Sequence, residues 1–170
     1  YTDGNLCTAT ATHVLTVNDT TPVTFNLPDD QICINEGNLT LTGGLPGGGT
    51  YSGTGVTVSP TFNPATAGAG DHFITYTYTN GSGCTTSAAD TMTVNPLPTV
   101  TLVLGDNAAC IDEAAFALGG GSPLGGTYSG NGVSGGSFDP ANPGGSGAKT
   151  ITYTYTDPST GCSDFETATL

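Results

Sequence analysis

The chain has no arginine and no tryptophan, and its single lysine is Lys149. Charged residues are 9% of the sequence, against roughly 25% in an average soluble domain. Nearly all of them are acidic, giving a net charge of -13. That balance repels nucleic acid and anionic lipid, which excludes both as partners. It keeps copies of the chain apart in solution and attracts Ca²⁺, a cation that takes oxygen ligands. No apolar run approaches the roughly 18 residues of a membrane span, so no membrane insertion is expected. No stretch carries a sustained helical period, and no pair of cysteines has the C-x-x-C spacing of a zinc or redox site.

What the sequence does contain is a repeat. Ile74-Thr-Tyr-Thr-Tyr-Thr79 returns at Ile151-Thr-Tyr-Thr-Tyr-Thr156, an offset of 77 residues. Gly49-Thr-Tyr-Ser-Gly53 returns at Gly126-Thr-Tyr-Ser-Gly130 with the same offset, and Cys33 returns as Cys110. Cys7 returns as Cys84 and, one residue late, as Cys162. A fixed period of this size marks a tandem array of small domains. Tyr1 aligns with Tyr78 and Tyr155, and Leu170 with Leu15 and Met92, so both ends are expected to cut through a repeat. The expected units are residues 1–19, the last strand of a preceding repeat, then 20–96 and 97–170, the final strand of the latter cut short. The joining segments, Val17 to Pro22 and Val94 to Pro98, are short and contain proline, which predicts a semi-rigid rod.

Each unit reads as β structure. Thr, Val, Ile and Tyr fill the strands, and 27 glycines and 11 prolines supply the turns. In the second unit strands are expected over 98–104, 114–118, 126–130, 133–138, 149–156 and 163–170. The clearest is 149–156, where Ile151, Tyr153 and Tyr155 share one face and Thr152, Thr154 and Thr156 the other, the period of a half-buried strand. Short strands at this spacing predict tandem Ig-like β-sandwich domains of about six to seven strands each.

The cysteines predict one disulfide per domain and an oxidising location. The expected pairs are Cys33–Cys84 and Cys110–Cys162, with the partner of Cys7 lying before residue 1. In a six-strand up-and-down count, the first loop and the last hairpin fall at the same end of a unit. That arrangement brings each pair within the Cα separation of about 5.5 Å that a disulfide needs.

The residues argue against catalysis, and no catalytic residue is expected. His13 and His72 are the only histidines, lie at non-equivalent positions, and have no marked nucleophile or orienting partner. Gly132-Val-Ser-Gly-Gly136 matches the nucleophile-elbow string around Ser134, but lacks the strand-to-helix context and reads Gly55-Val-Thr-Val-Ser59 in the other unit. Lys149, found in one unit only, does not encode an amide cross-link common to the repeats. No cofactor is expected unless it is calcium. The weak calcium candidates are Asp29, Asp30 and Glu36 around Cys33, and Asp106, Asp112 and Glu113 around Cys110; a solvated acidic loop is the plainer reading. The recurring tyrosines, Tyr51, Tyr76, Tyr78, Tyr128, Tyr153 and Tyr155, suit packing first and sugar stacking second.

Leu41 to Gly44, Gly48 to Gly53, Phe62 to Gly68, Ile74 to Thr79 and Gly83-Cys84 together resemble a known repeat type. It is the Ig-like, PKD-like tandem repeat of very long secreted and cell-surface adhesins of the Bacteroidota, including gliding-motility adhesins and other type IX secretion substrates. The resemblance covers essentially the whole chain. It implies an extracellular or cell-surface stalk whose partners are neighbouring repeats, and O-glycosylation at Asp19-Thr-Thr21 and Asp90-Thr-Met92, with Thr20 and Thr91 as the acceptors. The expected function is therefore a structural spacer of an adhesin or extracellular filament. The alternatives are a module binding glycan or calcium, and a filament subunit in which residues 1–17 complete the sheet of another copy.

Overall fold

A computed structural model describes residues 1–105, 108–142 and 146–170. Its elements are short, as the density of glycine and proline dictates. The first half holds β1 (Thr24–Phe25), β2 (Gln31–Cys33), β3 (Leu39–Thr40), β4 (Gly44–Leu45), β5 (Thr50–Ser52), β6 (Val56–Val58) and β7 (Thr61–Phe62). One helical turn, α1 (Pro64–Ala67), follows, and then the long strands β8 (Gly70–Thr79) and β9 (Thr85–Asn95). The second half holds β10 (Thr101–Leu102), β11 (Phe116–Ala117), β12 (Gly121–Ser122), β13 (Thr127–Gly130), β14 (Val133–Ser134), β15 (Ser137–Phe138), β16 (Thr150–Thr156) and β17 (Ser163–Thr169). The described residues are all-β apart from α1, which Asn63 caps by accepting a hydrogen bond from Thr66 N–H at 2.8 Å, with Pro64 in the first turn.

The strand pairings recur with the sequence period. In the first half the sheets are β2-β9-β8-β5, β3-β7-β6 and β1-β4; in the second they are β13-β16-β17, β11-β15-β14 and β10-β12. Tyr51 sits opposite Tyr76, and Tyr128 opposite Tyr153. Among the described residues only β2 lacks a counterpart. It is also the one strand that runs parallel to its neighbour, with Gln31, Ile32 and Cys33 opposite Thr93, Val94 and Asn95.

Each half buries its own apolar cluster. The first gathers Phe25, Leu27, Ile32, Leu41, Phe62, Ile74, Tyr76, Met92 and Val94; the second gathers Val100, Leu102, Phe138, Ile151 and Tyr153. Ile74 and Ile151 are fully buried, each contributing about 1.5–3 kcal/mol by leaving water. The alternation expected of the long strands is present, with Ile and Tyr inward and the threonines between them partly exposed.

The count of six to seven strands is too low. Nine strands lie in the first half and eight in the second, all of them in described residues. The single strand expected over 133–138 is a hairpin, because Gly135 and Gly136 both take positive φ and reverse the chain between β14 and β15. Residues 1–19 form no strand. They make one bridge, Thr2 to Thr8, and are exposed almost throughout.

The recurring glycine and tyrosine text explains the extra strands β4 and β12. Tyr76 Oη donates to the Pro46 carbonyl at 2.5 Å and accepts from Gly49 N–H at 2.7 Å. Tyr153 does the same with Pro123 at 2.5 Å and Gly126 at 2.8 Å. The loop each tyrosine holds contains a cis proline, Leu45-Pro46 or Ser122-Pro123. The neighbouring tyrosine adds a further bond, Gly44 N–H to Tyr51 Oη at 3.2 Å and Gly121 N–H to Tyr128 Oη at 2.9 Å. Gly44 and Gly121 cannot be anything larger, since a Cβ there would lie 2.5 or 2.6 Å from the ring of Tyr76 or Tyr153.

Removing one hydroxyl from this arrangement leaves a loop carbonyl and a loop N–H without their partner. Tyr153→Phe is expected to lower unfolding free energy by about 1–3 kcal/mol. Urea titration of the oxidised chain checks this; a loss below about 0.5 kcal/mol would show that the hydroxyl does not hold the loop.

Candidate functional site at the disulfide between the two halves

Two kinds of turn present the cysteines, and each recurs. The first follows β2. Cys33 N–H donates to Glu36 Oε1 at 3.2 Å while Glu36 N–H donates to the Cys33 carbonyl at 3.0 Å. Cys110 and Glu113 repeat both bonds, at 3.2 and 3.0 Å. Each glutamate thus closes a reciprocal turn around its cysteine.

The second kind is a hairpin anchored by an Asp or Asn four or five residues before the cysteine. Asn80 Oδ1 accepts from Ser82 and Cys84 N–H, both at 3.0 Å, and Asn80 N–H donates to the Cys84 carbonyl at 3.0 Å. Asp3 Oδ1 accepts from Asn5 and Cys7 N–H at 3.0 Å. Asp157 N–H donates to the Cys162 carbonyl at 2.9 Å, and Asp157 Oδ1 accepts from Ser159 N–H at 2.8 Å and Ser159 Oγ at 2.6 Å. The anchors Asp3, Asn80 and Asp157 are themselves 77 residues apart. Side chains of this type close local turns because a short oxygen reaches the backbone two residues on.

One turn of each kind meets across the linker. Cys33 and Cys162 form a disulfide with a Cα separation of 5.6 Å. Both are buried, at 8% and 1% exposure. Cys7, Cys84 and Cys110 are thiols, with Cys7 and Cys110 exposed and Cys84 half-exposed. The expected pairs Cys33–Cys84 and Cys110–Cys162 are therefore incorrect.

The error lies in strand direction. Because β2 runs parallel to β9, Cys33 ends up opposite Asn95, at the end of β9. Cys84 lies just before Thr85, at its start. Eleven residues of extended strand separate those ends, roughly 35 Å at about 3.3 Å per residue. No disulfide spans that distance. The hairpin that carries Cys162 in the second half instead meets the turn of Cys33 beside Asn95, where the chain leaves the first half. Closing a loop with a sequence separation of 129 residues is worth about 5 kcal/mol in the chain-entropy model.

The other candidates divide between turns and surface. Glu36 and Glu113 have their carboxylates on the cysteine turns. Asp29, Asp30 and Asp112 are exposed, and Asp30 offers its backbone carbonyl to Thr93 N–H at 2.8 Å. Asp106 lies outside the described residues. Among the described residues, no three His, Cys, Asp or Glu side chains converge as metal ligands would. His13 is exposed, and His72 bonds the Gly68 carbonyl at 2.8 Å. Ser134 sits on a strand-to-strand hairpin, not a strand-to-helix elbow. Lys149 is half-buried and exchanges two backbone bonds with Leu170, at 2.8 and 2.9 Å. Tyr76 and Tyr153 are 2% exposed, which removes them from any sugar platform.

Thr20 is exposed. Thr91 pairs with Phe73 and shares its outward face, though it is itself half-buried. Its neighbour Asp90 is occupied, accepting from Leu27 N–H at 2.8 Å. The hairpin anchors Asp3 and Asn80 and the loop prolines Pro46 and Pro123 escaped the reading of the sequence. The anchors keep the 77-residue spacing and were open to the same comparison between units.

The sequence matches no protein-family model and no curated protein.

Asp157 carries an electrostatic signature of its turn. The Ser159 hydroxyl first, and then Ser159 N–H, hold its carboxyl below its ordinary value of 3.8. A carboxyl lowered in the fold supports the fold above its unfolded value, and that support is lost as pH falls through the folded value. The hairpin carrying Cys162 should therefore loosen in acid below about pH 4. Ser159→Ala is expected to move that loosening to higher pH, read by hydrogen exchange at the amides of Asp157 and Gly161. An unchanged acid profile would refute the role given to Ser159.

Proposed function

We propose that the chain is a run of Ig-like β-sandwich repeats from the stalk of a long secreted or cell-surface protein, of the kind that Bacteroidota adhesins and extracellular filaments use. Its task is to extend and stiffen, not to catalyse. The observation that supports this best is the Cys33–Cys162 bond, which joins the exit end of one unit to the entry hairpin of the next. A disulfide placed there ties the two halves to one another. It also fits an oxidising compartment, as a secreted protein meets. Among the described residues no helix is long and apolar enough to cross a membrane.

Three further features agree with a spacer. The linker residues Asn95 to Pro98 are short and rigid, so the bond and the linker fix the junction at two points. The cores are separate, one per unit, so length can be added without redesign. The acidic surface resists lateral clumping of parallel stalks. The recurring residues are those of turns, cores and joints, while the candidates for chemistry, Ser134, Lys149 and the histidines, do not recur.

The reading predicts a junction that is stiff only when oxidised. Small-angle X-ray scattering before and after mild reduction should show a broader spread of maximum dimension in the reduced chain, with unchanged β content by circular dichroism. Identical scattering in both states would mean that the bond does not set the geometry of the array. A glycan array supplies the other arm: a spacer binds none, and a specific hit would favour the binding-module reading instead.

A further inference from the structure

The hairpin between β8 and β9 differs from its two counterparts in its anchor. Of Asp3, Asn80 and Asp157, only Asn80 is an amide. The turn itself does not call for one. Asp3 Oδ1 accepts from Asn5 and Cys7 N–H at 3.0 Å, and Asn80 Oδ1 accepts from Ser82 and Cys84 N–H at the same distance. What an asparagine adds is a side-chain N–H, a donor that a carboxylate lacks. Asn80 Nδ2 donates to the Asp19 carbonyl at 2.9 Å and lies 3.4 Å from Thr21 Oγ1. With two N–H groups on one side and a carbonyl on the other, the amide can face only one way. Thr86 adds a bond from its Oγ1 to the Thr21 carbonyl at 2.8 Å. Residues 19–21, in the joining stretch before β1, are thereby held against the hairpin.

The same asparagine begins an Asn-Gly pair. The pair occurs twice in the chain, at Asn80-Gly81 and Asn131-Gly132. Asn-Gly is the dipeptide in which a backbone nitrogen most easily attacks the side-chain amide before it, because glycine has no Cβ to shield that nitrogen. Gly81 is exposed, and a Cβ on it would meet nothing within 4 Å. The other two anchors are closed to this chemistry. Asp3 and Asp157 have no amide to lose, and Pro158 has no N–H with which to attack.

We propose that Asn80 is a modification site: its deamidation frees residues 19–21 from the hairpin, and their docking in turn holds the reaction back. The step consumes water and releases ammonia. The Gly81 nitrogen forms a bond to Asn80 Cγ, the Cγ–Nδ2 bond breaks, and the proton of that nitrogen leaves with Nδ2 as ammonia. Water then opens the resulting succinimide ring. Opening at Cγ leaves an aspartate at position 80. Opening at the main-chain carbonyl leaves an isoaspartate, with the backbone rerouted through the side chain. Either product has exchanged the donor for a carboxylate oxygen, so acceptor now faces acceptor at the Asp19 carbonyl. The aspartate keeps the turn, as the bonds of Asp3 show, and loses only the grip on residues 19–21.

Protection follows from the same bonds. Ring closure makes Cγ tetrahedral and takes Nδ2 off the Asp19 carbonyl, so the docked amide must let go before it reacts. Opening of a loop is fast beside this chemistry, and the rate then follows the fraction of time that residues 19–21 are undocked.

The test incubates the oxidised full chain at mildly alkaline pH and follows positions 80 and 131 by peptide mass mapping. The same chain kept unfolded in guanidinium chloride is the reference. Both Asn-Gly pairs should convert in the unfolded chain, and Asn80 should convert more slowly in the folded one. Thr86→Ala removes the bond to Thr21 without touching the reacting atoms. It should speed conversion at Asn80 roughly fivefold, the effect of one ordinary hydrogen bond on an opening equilibrium. Position 131 should keep its parental rate, whereas a general loss of stability would raise both. Asn80→Asp should lower the NMR order parameters of residues 19–21 while the Ser82 and Cys84 amides keep their protection from hydrogen exchange. Gly81→Ala, for which the site has room, should suppress conversion at position 80 without lowering those order parameters. Conversion at Asn80 as fast in the folded chain as in the unfolded one, or unchanged by Thr86→Ala (absence from both included), would overturn the protection. Unaltered order parameters in Asn80→Asp would overturn the release.

Discussion

The parallel pairing of β2 with β9 is the constraint from which the rest follows. An antiparallel partner would have carried the chain back toward the hairpin of its own unit. A parallel one delivers Cys33 to the end of β9, where the chain leaves for the second unit. Parallel neighbours need a long crossover, and here the whole of β3 to β8 serves as that connection. Ile34 N–H extends the ladder by bonding the Asn95 carbonyl at 3.0 Å, so the turn is fixed to the exit strand before the disulfide is considered. The Glu36 turn then sets the direction of the cysteine. Sheet topology, not proximity in sequence, decides which sulfur meets which.

Inside each unit a different constraint operates. A core of this size yields little free energy, and it must hold loops that are mostly glycine and proline. A tyrosine solves this by serving both purposes. Its ring is buried between strands, and its hydroxyl satisfies one loop carbonyl and one loop N–H that would otherwise face the interior unpaired. The ring pairs Tyr51–Tyr76 and Tyr128–Tyr153, at 4.8 and 4.7 Å between centroids, keep that geometry the same in both halves. Glycine is required at 44 and 121 because the ring occupies the space of a side chain. In these two loops the carbonyl and the N–H are thereby paired without a charged residue.

Much of this was legible in the sequence, for identifiable reasons. The long strands were evident because alternation over Ile151 to Thr156 has a period that only a strand satisfies. The tyrosines were marked by recurrence, although their hydroxyl contacts were not, since Pro46 and Pro123 lie 30 residues from the tyrosines they meet. The β14–β15 hairpin was hidden because Gly135-Gly136 looks like a weak strand interior until positive φ is assigned to it. The disulfide pairing was missed for a deeper reason. Parity counting treats every neighbouring pair as antiparallel, and a three-residue strand, Gln31-Ile-Cys33, is too short to declare its direction. The cysteines were correctly assigned to one loop and one hairpin of each unit; only the choice of partner depended on that strand.

The separation of 129 residues between Cys33 and Cys162 also determines which residues a pull along the chain would spare. Force applied between its ends enters through residues before Cys33, crosses the sulfur bridge and leaves through β17, which begins at Ser163 immediately after Cys162. Residues 34–161, including most of both cores, lie within the closed loop and are not extended while the bond stands. The linker is bypassed as well. Had the bonds been Cys33–Cys84 and Cys110–Cys162, each would have protected its own unit, and the linker between them would have carried the full tension unaided. Placing the bond across the junction reverses this: the junction becomes the covalently reinforced element, and the separate cores need only the modest stability that tyrosine-pinned loops and a few buried aliphatics supply.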